Sequence, residues 1–500
     1  MPIPKTIYKI SLIAVLFAGI ATIFLLQFSI PTLFGADGYL HIRMAEFLKD
    51  YGPHYHFHWA RFSTFTQNFA DKDFIYHVLL VPFTFLPNIF WGAKLAAAIF
   101  AAVLYFVFCW ALTRYCRARP LVPVFALVFF LSAPFLQALA QPRNMVLVIA
   151  LTILFIHYLI QKRYLALCLV SIIYSLSHVS GPYLLLFAVL GETLRFAHER
   201  FFAWKSAVAV ALGVAIGFLL HPNFPHNLLV FYLNGILVPV FALKWGLELG
   251  AEFFPMNTRD FVLGYPFVFI AVLLWIGLGV SRQKKISLAT QIWMAIAGFF
   301  FVFSFFSQRY LIHAYPLVLI ALAGYCSDWW QSRPEAMPSP FKAHKIIYLS
   351  LVAGSAALLL FIGMHTWQDF KLRLDTELIY NSHYEAVGKW MDSSVPPREV
   401  IFHTNWSDAQ YFIGLNPKDD YLVTLDPIFM YYWDSKKYEL YRQVSFGNNP
   451  DPYKAIKEVF GCQYGYCGKN YFSGLIKQIR SDSRFEVLGE DALGLVFKLR

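Results

Sequence analysis

Polar residues in this chain gather between long apolar blocks rather than alternating with apolar ones. A helix needs about 20 apolar residues to cross a hydrocarbon layer about 30 Å thick. The block from Ile10 to Gly35 holds no Asp, Glu, Lys or Arg. It is longer than a signal-peptide core and predicts a retained first span, with Lys5 and Lys9 before it. Further spans are predicted over Trp91–Thr113, Leu121–Leu139, Met145–Ile160, Tyr164–Ser177, Pro182–Arg195, Ser206–Leu220, Phe261–Val280, Ile286–Phe306, Leu311–Cys326 and Ile346–Met364. The total is about eleven. Tyr164–Arg195 reads either as one long helix or as two meeting at His178–Pro182. Only two helices keep the basic loops on one side.

The loops divide by charge. Arg114, Arg117 and Arg119; Lys162 and Arg163; Arg195, Arg200 and Lys205; Arg282, Lys284 and Lys285; and Arg333, Lys342 and Lys345 alternate with loops holding mainly Arg143 and Arg309. This asymmetry predicts a cytoplasmic N-terminus and an extracytoplasmic C-terminus. Residues 1–364 form the expected membrane domain, with outer loops over 36–90 and 221–260. The first loop holds an amphipathic helix, Tyr39–Tyr51, and an apolar stretch, Phe74–Pro87. Residues 365–500 read as a mixed α/β domain outside the membrane. Its expected strands are Val400–His403 and Tyr421–Leu425, and its expected helices Asn381–Met391 and Pro452–Phe460.

Composition agrees. The chain has 500 residues, 58% hydrophobic and only 14% charged, with mean hydropathy +0.53. Soluble domains carry about a quarter charged residues. The formal charge of +11 sits in short loops without a basic-aromatic motif, so nucleic acid is not an expected partner. Cys462 and Cys467, spaced C-x4-C, suit a disulfide if their domain lies outside the cytoplasm.

Candidate chemistry collects on the outer side. Asp37 stands in Gly35-Ala36-Asp37-Gly38-Tyr39-Leu40-His41-Ile42-Arg43. It reads as a helix N-cap, or as a general base or metal ligand beside His41 and Arg43. Asp71-Lys72-Asp73 with His77 gives a second acidic cluster. Asp37, Asp73 and His77 are the candidate ligands for a divalent ion such as Mg or Mn. The alternating His54, His56 and His58 fit an interfacial segment better than a metal site. Arg143 and Arg309, followed by Tyr310, break the charge rule and suit anion binding. His178 marks a break in an apolar run, as a cavity-facing His does. Glu248, Glu252 and Asp260 read mainly as structural acids.

At these residues the chain resembles the GT-C superfamily of membrane glycosyltransferases. The acidic residue after the first span looks like the catalytic first-loop Asp of oligosaccharyltransferase catalytic subunits and protein O-mannosyltransferases. Arg309-Tyr310-Leu311 with Pro316 is similar to a run in aminoarabinose- and mannosyltransferase-like members, and Leu176-Ser177-His178…Gly181-Pro182 to their His-containing break. The Trp-Trp-Asp-Tyr-Gly sequon-binding motif of oligosaccharyltransferases is absent; the nearest segments are Asn405-Trp406-Ser407-Asp408 and Tyr432-Trp433-Asp434.

The resemblance implies an inverting transferase with a polyprenyl-phosphate-linked sugar donor in the lipid. Its acceptor would be a protein, glycan or lipid on the extracytoplasmic face, periplasmic in a bacterial inner membrane. Asp37 and Asp73 would be catalytic, and His41, Arg43, Arg143, His178, Arg309 and Tyr310 substrate-binding. The rival reading is a transporter or lipid-linked-sugar flippase, although such proteins favour mid-membrane charges and repeats.

Overall fold

The computed structural model describes residues 4–242, 244–279, 286–331 and 345–500. The basic residues Arg282, Lys284, Lys285, Arg333 and Lys342, and Val280 at the end of one expected span, lie outside these.

Apolar runs become helices with few boundary shifts. Met145–Ile160 and Tyr164–Ser177 form where their sequence runs predict. The first helix covers Lys5–Gln27 and stops before Pro31, short of the expected Gly35. Tyr164–Arg195 is two helices, the second being Tyr183–Glu199. Two expected single spans are broken. Leu121–Val128 and Ala133–Ala140 meet at 74°, and Thr258–Gly264 and Pro266–Ile276 at 95°. A proline inside the first turn of Ala133–Ala140 and another opening the Pro266 helix suit these new starts.

Among the described residues three helices are long and apolar enough to cross a membrane, Thr6–Gln27, Ile89–Tyr115 and Arg309–Gln331, or five if each bent pair is one span. The Tyr164–Ser177 and Trp204–Leu219 helices are shorter, yet pack intimately. A Cβ at Gly213 would stand 2.5 Å from the Cys168 carbonyl, and one at Gly217 2.8 Å from Ser175 Cβ. Only glycine allows that approach.

The C-terminal part carries a five-stranded sheet in the order β2-β1-β3-β5-β4. Its strands are β1 (Val400–His403), β2 (Asp420–Tyr421), β3 (Tyr464–Gly468), β4 (Phe485–Glu490) and β5 (Gly494–Leu499). β1 runs parallel to β2 and β3, and β5 antiparallel to β3 and β4. The expected strand Tyr421–Leu425 ends early, because Leu425 turns to φ 69°. Cys462 and Cys467 are free thiols, not the expected disulfide. Cys467 is committed to β3 opposite Leu495, and both sulfurs are buried against backbone carbonyls.

Helix Lys345–Ser394 is continuous for 50 residues, so the expected boundary at 364/365 falls inside one element. The first outer loop is stitched to the sheet edge: Tyr421 N–H donates to Trp59 (2.7 Å), and the Arg61 and Phe62 amides donate to Tyr421 and Leu422. Tyr55, Phe57 and Trp59 are buried while His54 and His56 are exposed, the period of an extended segment with one apolar side. His58 pairs with Asp420 at 2.7 Å. Tyr39, Leu40, Trp59, Phe402, Phe412 and Tyr421 share one apolar core, so the outer loop and the C-terminal part are packed as one body.

Candidate active site

The site begins with glycines. Gly35 adopts φ 71°, and its amide donates to Glu377 at 2.9 Å. A Cβ on Gly38 would stand 2.9 Å from the Pro142 ring. These two positions let the start of the Asp37–Tyr51 helix press against Gln141-Pro142-Arg143. Ala36 occupies the cap position, so Asp37 is the first helical residue and not the N-cap. Its carboxylate lies in the first turn, where negative charge suits the helix dipole. It is turned toward Arg143.

Arg143 Nε stands 2.5 Å from Asp37 Oδ2. The same guanidinium reaches Glu252 through Nη1 at 3.1 Å and Nη2 at 3.3 Å. Glu252 then meets Arg309 Nε at 3.5 Å. The four side chains form a row, acid–base–acid–base, from the helix after the first span to the start of Arg309–Gln331. Burial favours the neutral acid at Glu252, but Arg143 and then Arg309 outweigh it and hold the carboxyl at about 2. Backbone bonds fix the segment carrying Glu252: Ser307 Oγ donates to the Glu252 carbonyl at 2.7 Å, and Gln308 N–H to Phe254 at 2.9 Å.

Asp73 lies behind this row, before the helix Phe74–Leu80. Asn144 Nδ2 donates to it at 2.9 Å and also bonds the Ser177 carbonyl, tying Asp73 to the break at His178. Burial raises the Asp73 carboxyl, but Lys72, His41, His178 and His77 together pull it well below the usual carboxylate range. Burial lowers His178 to about 4; Asp73 opposes this, while Lys72, Arg309 and Arg143 add to it. His178 therefore sits as a neutral ring beside a charged cluster, its Nδ1 2.7 Å from Ser180 Oγ.

His77 is held on both sides. Its Nδ1 is 2.6 Å from Asp71 Oδ2 and its Nε2 2.7 Å from His41 Nδ1, all three side chains being buried. Burial and neighbouring His77 push His41 down to about 4. With both ring nitrogens engaged, His77 does not fit the expected metal ligand. Among the described residues no three His, Cys, Asp or Glu side chains stand as a ligand set.

No family model matches the sequence, and no curated protein matches it. Solved structures do. The apo oligosaccharyltransferase of Archaeoglobus fulgidus matches with TM-score 0.63 at 13% identity, over 91% of this chain and 69% of that one. ArnT from Cupriavidus metallidurans bound to undecaprenyl phosphate matches with TM-score 0.57 at 13% identity, over 97% of both chains. Its apo form gives TM-score 0.56 at 14% identity over the same shares. The chain has the GT-C fold.

Within this GT-C fold, the residues singled out in the sequence separate into two groups. Asp37, Arg143 and Arg309 join through Glu252, and Asp73 and His178 face the same cluster electrostatically. Arg43 points away: it pairs with Glu46 and donates to the Gly414 carbonyl at 2.7 Å, strapping its helix to the C-terminal part. Tyr310 packs against Phe300 and Phe303, with ring centroids at 6.3 and 5.5 Å. His41 reaches His77 rather than the row itself.

Sequence reasoning undervalued Glu252 and missed Asn144 and Asp426. Glu252 had a signal: two arginines on the outer side require a counter-ion, and acids of the second outer loop are the nearest unassigned ones. Asn144, adjoining Arg143, could have been noticed as a polar side chain at the head of an apolar run. Asp426 lies far away in sequence and carried no local mark.

Proposed function

We propose that this chain transfers a sugar from a polyprenyl-phosphate-linked donor to an acceptor hydroxyl at the extracytoplasmic face. The observation that carries this reading is the row Asp37–Arg143–Glu252–Arg309, which puts two carboxylates and two guanidiniums together at the ends of apolar helices. About eleven crossings with the N-terminus inside, the number and orientation expected from the sequence, would let a donor lipid tail lie among the helices while its phosphate meets the arginines. ArnT, the neighbour solved with undecaprenyl phosphate, supports a donor of that class. The membrane domain ends within the long helix, and the C-terminal domain lies outside.

Arg309 and Arg143 hold the donor phosphate and take up the charge that grows on it as the sugar departs. Arg143 also orients Asp37, leaving Oδ1 to receive the acceptor's proton. The acceptor oxygen bonds to the anomeric carbon as the bond from that carbon to the phosphate oxygen breaks. Polyprenyl phosphate leaves, the proton stays on Asp37, and configuration inverts. Asp73, fixed by Asn144, adds a negative charge behind the row that balances Lys72.

The test is turnover of a synthetic polyprenyl-phosphate sugar by the full chain in lipid nanodiscs. Wild type is expected to cleave the donor, and Asp37→Asn to lose about 100-fold or more in kcat. Donor carried across the bilayer without cleavage would favour the flippase reading. A fully active Asp37→Asn would remove Asp37 from its role.

A further inference from the structure

A second polar group lies in the C-terminal part, against residues 221–260. Asp426 is buried at 2% exposure, and it feels the charges of Lys72, Arg309 and Glu252. It follows Leu425, whose φ of 69° is rare for a side chain of that kind and sets the loop's direction. Asp426 Oδ1 accepts from the Ile428 amide at 2.9 Å, and Oδ2 from Asn234 Nδ2 at 3.3 Å. A carboxylate has about four lone-pair sites, so acceptor capacity remains on both oxygens. Burial lifts this carboxyl to about 6, against the pull of the Ile428 amide, Lys72 and Arg309.

Its neighbours also have unmet bonding. Asn234 Oδ1 and Thr424 Oγ1 are buried and have no hydrogen-bond partner among the described residues. Thr424 is fully buried, and its carbonyl accepts the Asp426 amide at 2.9 Å. A bonding partner for either atom would relieve the cost of leaving it unpaired. The seam around them is held from both sides: Trp245 stacks on Tyr431 at 5.4 Å, and Trp406 Nε1 donates to the Glu248 carbonyl at 2.7 Å.

We propose that Asp426, Asn234 and Thr424 form the subsite that receives a polyhydroxylated acceptor, a sugar or sugar-like polyol, beside the donor phosphate. Their free positions are mainly acceptors, and such a set takes hydroxyl donors. Asn234 adjoins Gly235, whose carbonyl accepts from Tyr183 Oη at 2.8 Å just past the His178 break, and this brings a bound polyol to the edge of the transfer site. This proposal rests on the transferase reading, and it names the chemical class of acceptor that reading leaves open.

The test uses methyl glycosides of hexoses and pentoses, with their monodeoxy analogues, on the full chain in nanodiscs. Saturation-transfer NMR without donor reads binding alone. At least one glycoside should bind wild type and the surface control Glu458→Gln, and its binding should weaken about tenfold or more in Asp426→Asn. That variant retains an oxygen to accept the Ile428 amide, so the loop stays folded. Thr424→Val should leave thermal stability equal or higher while weakening the same glycoside. With donor present, both variants should raise the glycoside KM by a larger factor than they slow donor cleavage to water.

Absence of binding to wild type, or equal binding to Asp426→Asn and Thr424→Val, overturns the proposal. So does parallel loss of donor cleavage, which would make Asp426 a donor-side or structural residue. Glycoside binding without donor cleavage by wild type would instead overturn the transferase reading and leave the subsite standing.

Discussion

Glu252 grips Arg143 at two points, 3.1 Å to Nη1 and 3.3 Å to Nη2. A carboxylate in a guanidinium fork occupies the geometry that two phosphate oxygens would take. Glu252→Gln should therefore free the arginines and lower the KM for a polyprenyl-phosphate donor by several-fold. Isothermal titration with polyprenyl phosphate checks this, and weaker binding by the variant would refute it.

The same residue makes a pH prediction. Arg143 and Arg309, overcoming burial, hold the Glu252 carboxyl at about 2, below its unfolded value of about 4.3. A depressed carboxyl stabilises the fold above the unfolded value, and that stability is lost as pH falls through the folded one. Thermal unfolding of wild type should drop between about pH 4.5 and 2, and Glu252→Gln should flatten that drop. Identical pH profiles would exclude the linkage.

Arg309 is the outermost cation of the row, its guanidinium also lying 4.6 Å from the Phe253 ring centre. Arg309→Ala should raise donor KM by about 10- to 100-fold, with a smaller change in acceptor KM. Arg309→Lys should recover only part, since an ammonium lacks the fork. Steady-state kinetics with each substrate varied separately decides this.

Asn144 bridges Asp73 and the Ser177 carbonyl. Asn144→Ala should cost about 1–3 kcal/mol, and Asn144→Asp more, because it sets a like charge against Asp73. Both should reduce kcat. Thermal unfolding and single-turnover donor cleavage separate the two effects.

Gly414 touches the Asp37–Tyr51 helix. A Cβ there would lie 2.6 Å from Tyr39 Cβ and 2.7 Å from the Tyr39 carbonyl. Gly414→Val should cost about 1–3 kcal/mol or more by overpacking and loosen the C-terminal part, whereas Gly489→Ala, with open space around it, should not. Limited proteolysis reads the loosening.

The helices were legible where an apolar run ended at charged or turn residues, as at Met145–Ile160 between Asn144 and Gln161-Lys162-Arg163. Bends inside apolar runs, such as the 95° turn at Tyr265, leave hydropathy unchanged, and only a proline such as Pro266 marks them. β3 was missed because Gly465 and Gly468 weaken a strand signal; Gly465 is needed where its Cβ would meet the Phe497 ring at 2.2 Å. Asp37, Asp73, Arg143 and Arg309 stood out because a charge at a membrane edge demands a reason. Glu252 and Asp426 stand singly in mainly apolar segments with no motif around them, and only the folded chain brings Glu252 to the arginines.

Helix Lys345–Ser394 runs unbroken for 50 residues, about 75 Å at the usual rise. Along it, Glu377 accepts from Gly35 and Gln137, and Asn381 donates to the Leu33 carbonyl at 2.6 Å. A rod pinned in this way, just before Asp37, provides no hinge. The rod therefore sets the spacing between the bent apolar pair at Gln137 and the sheet-bearing C-terminal part.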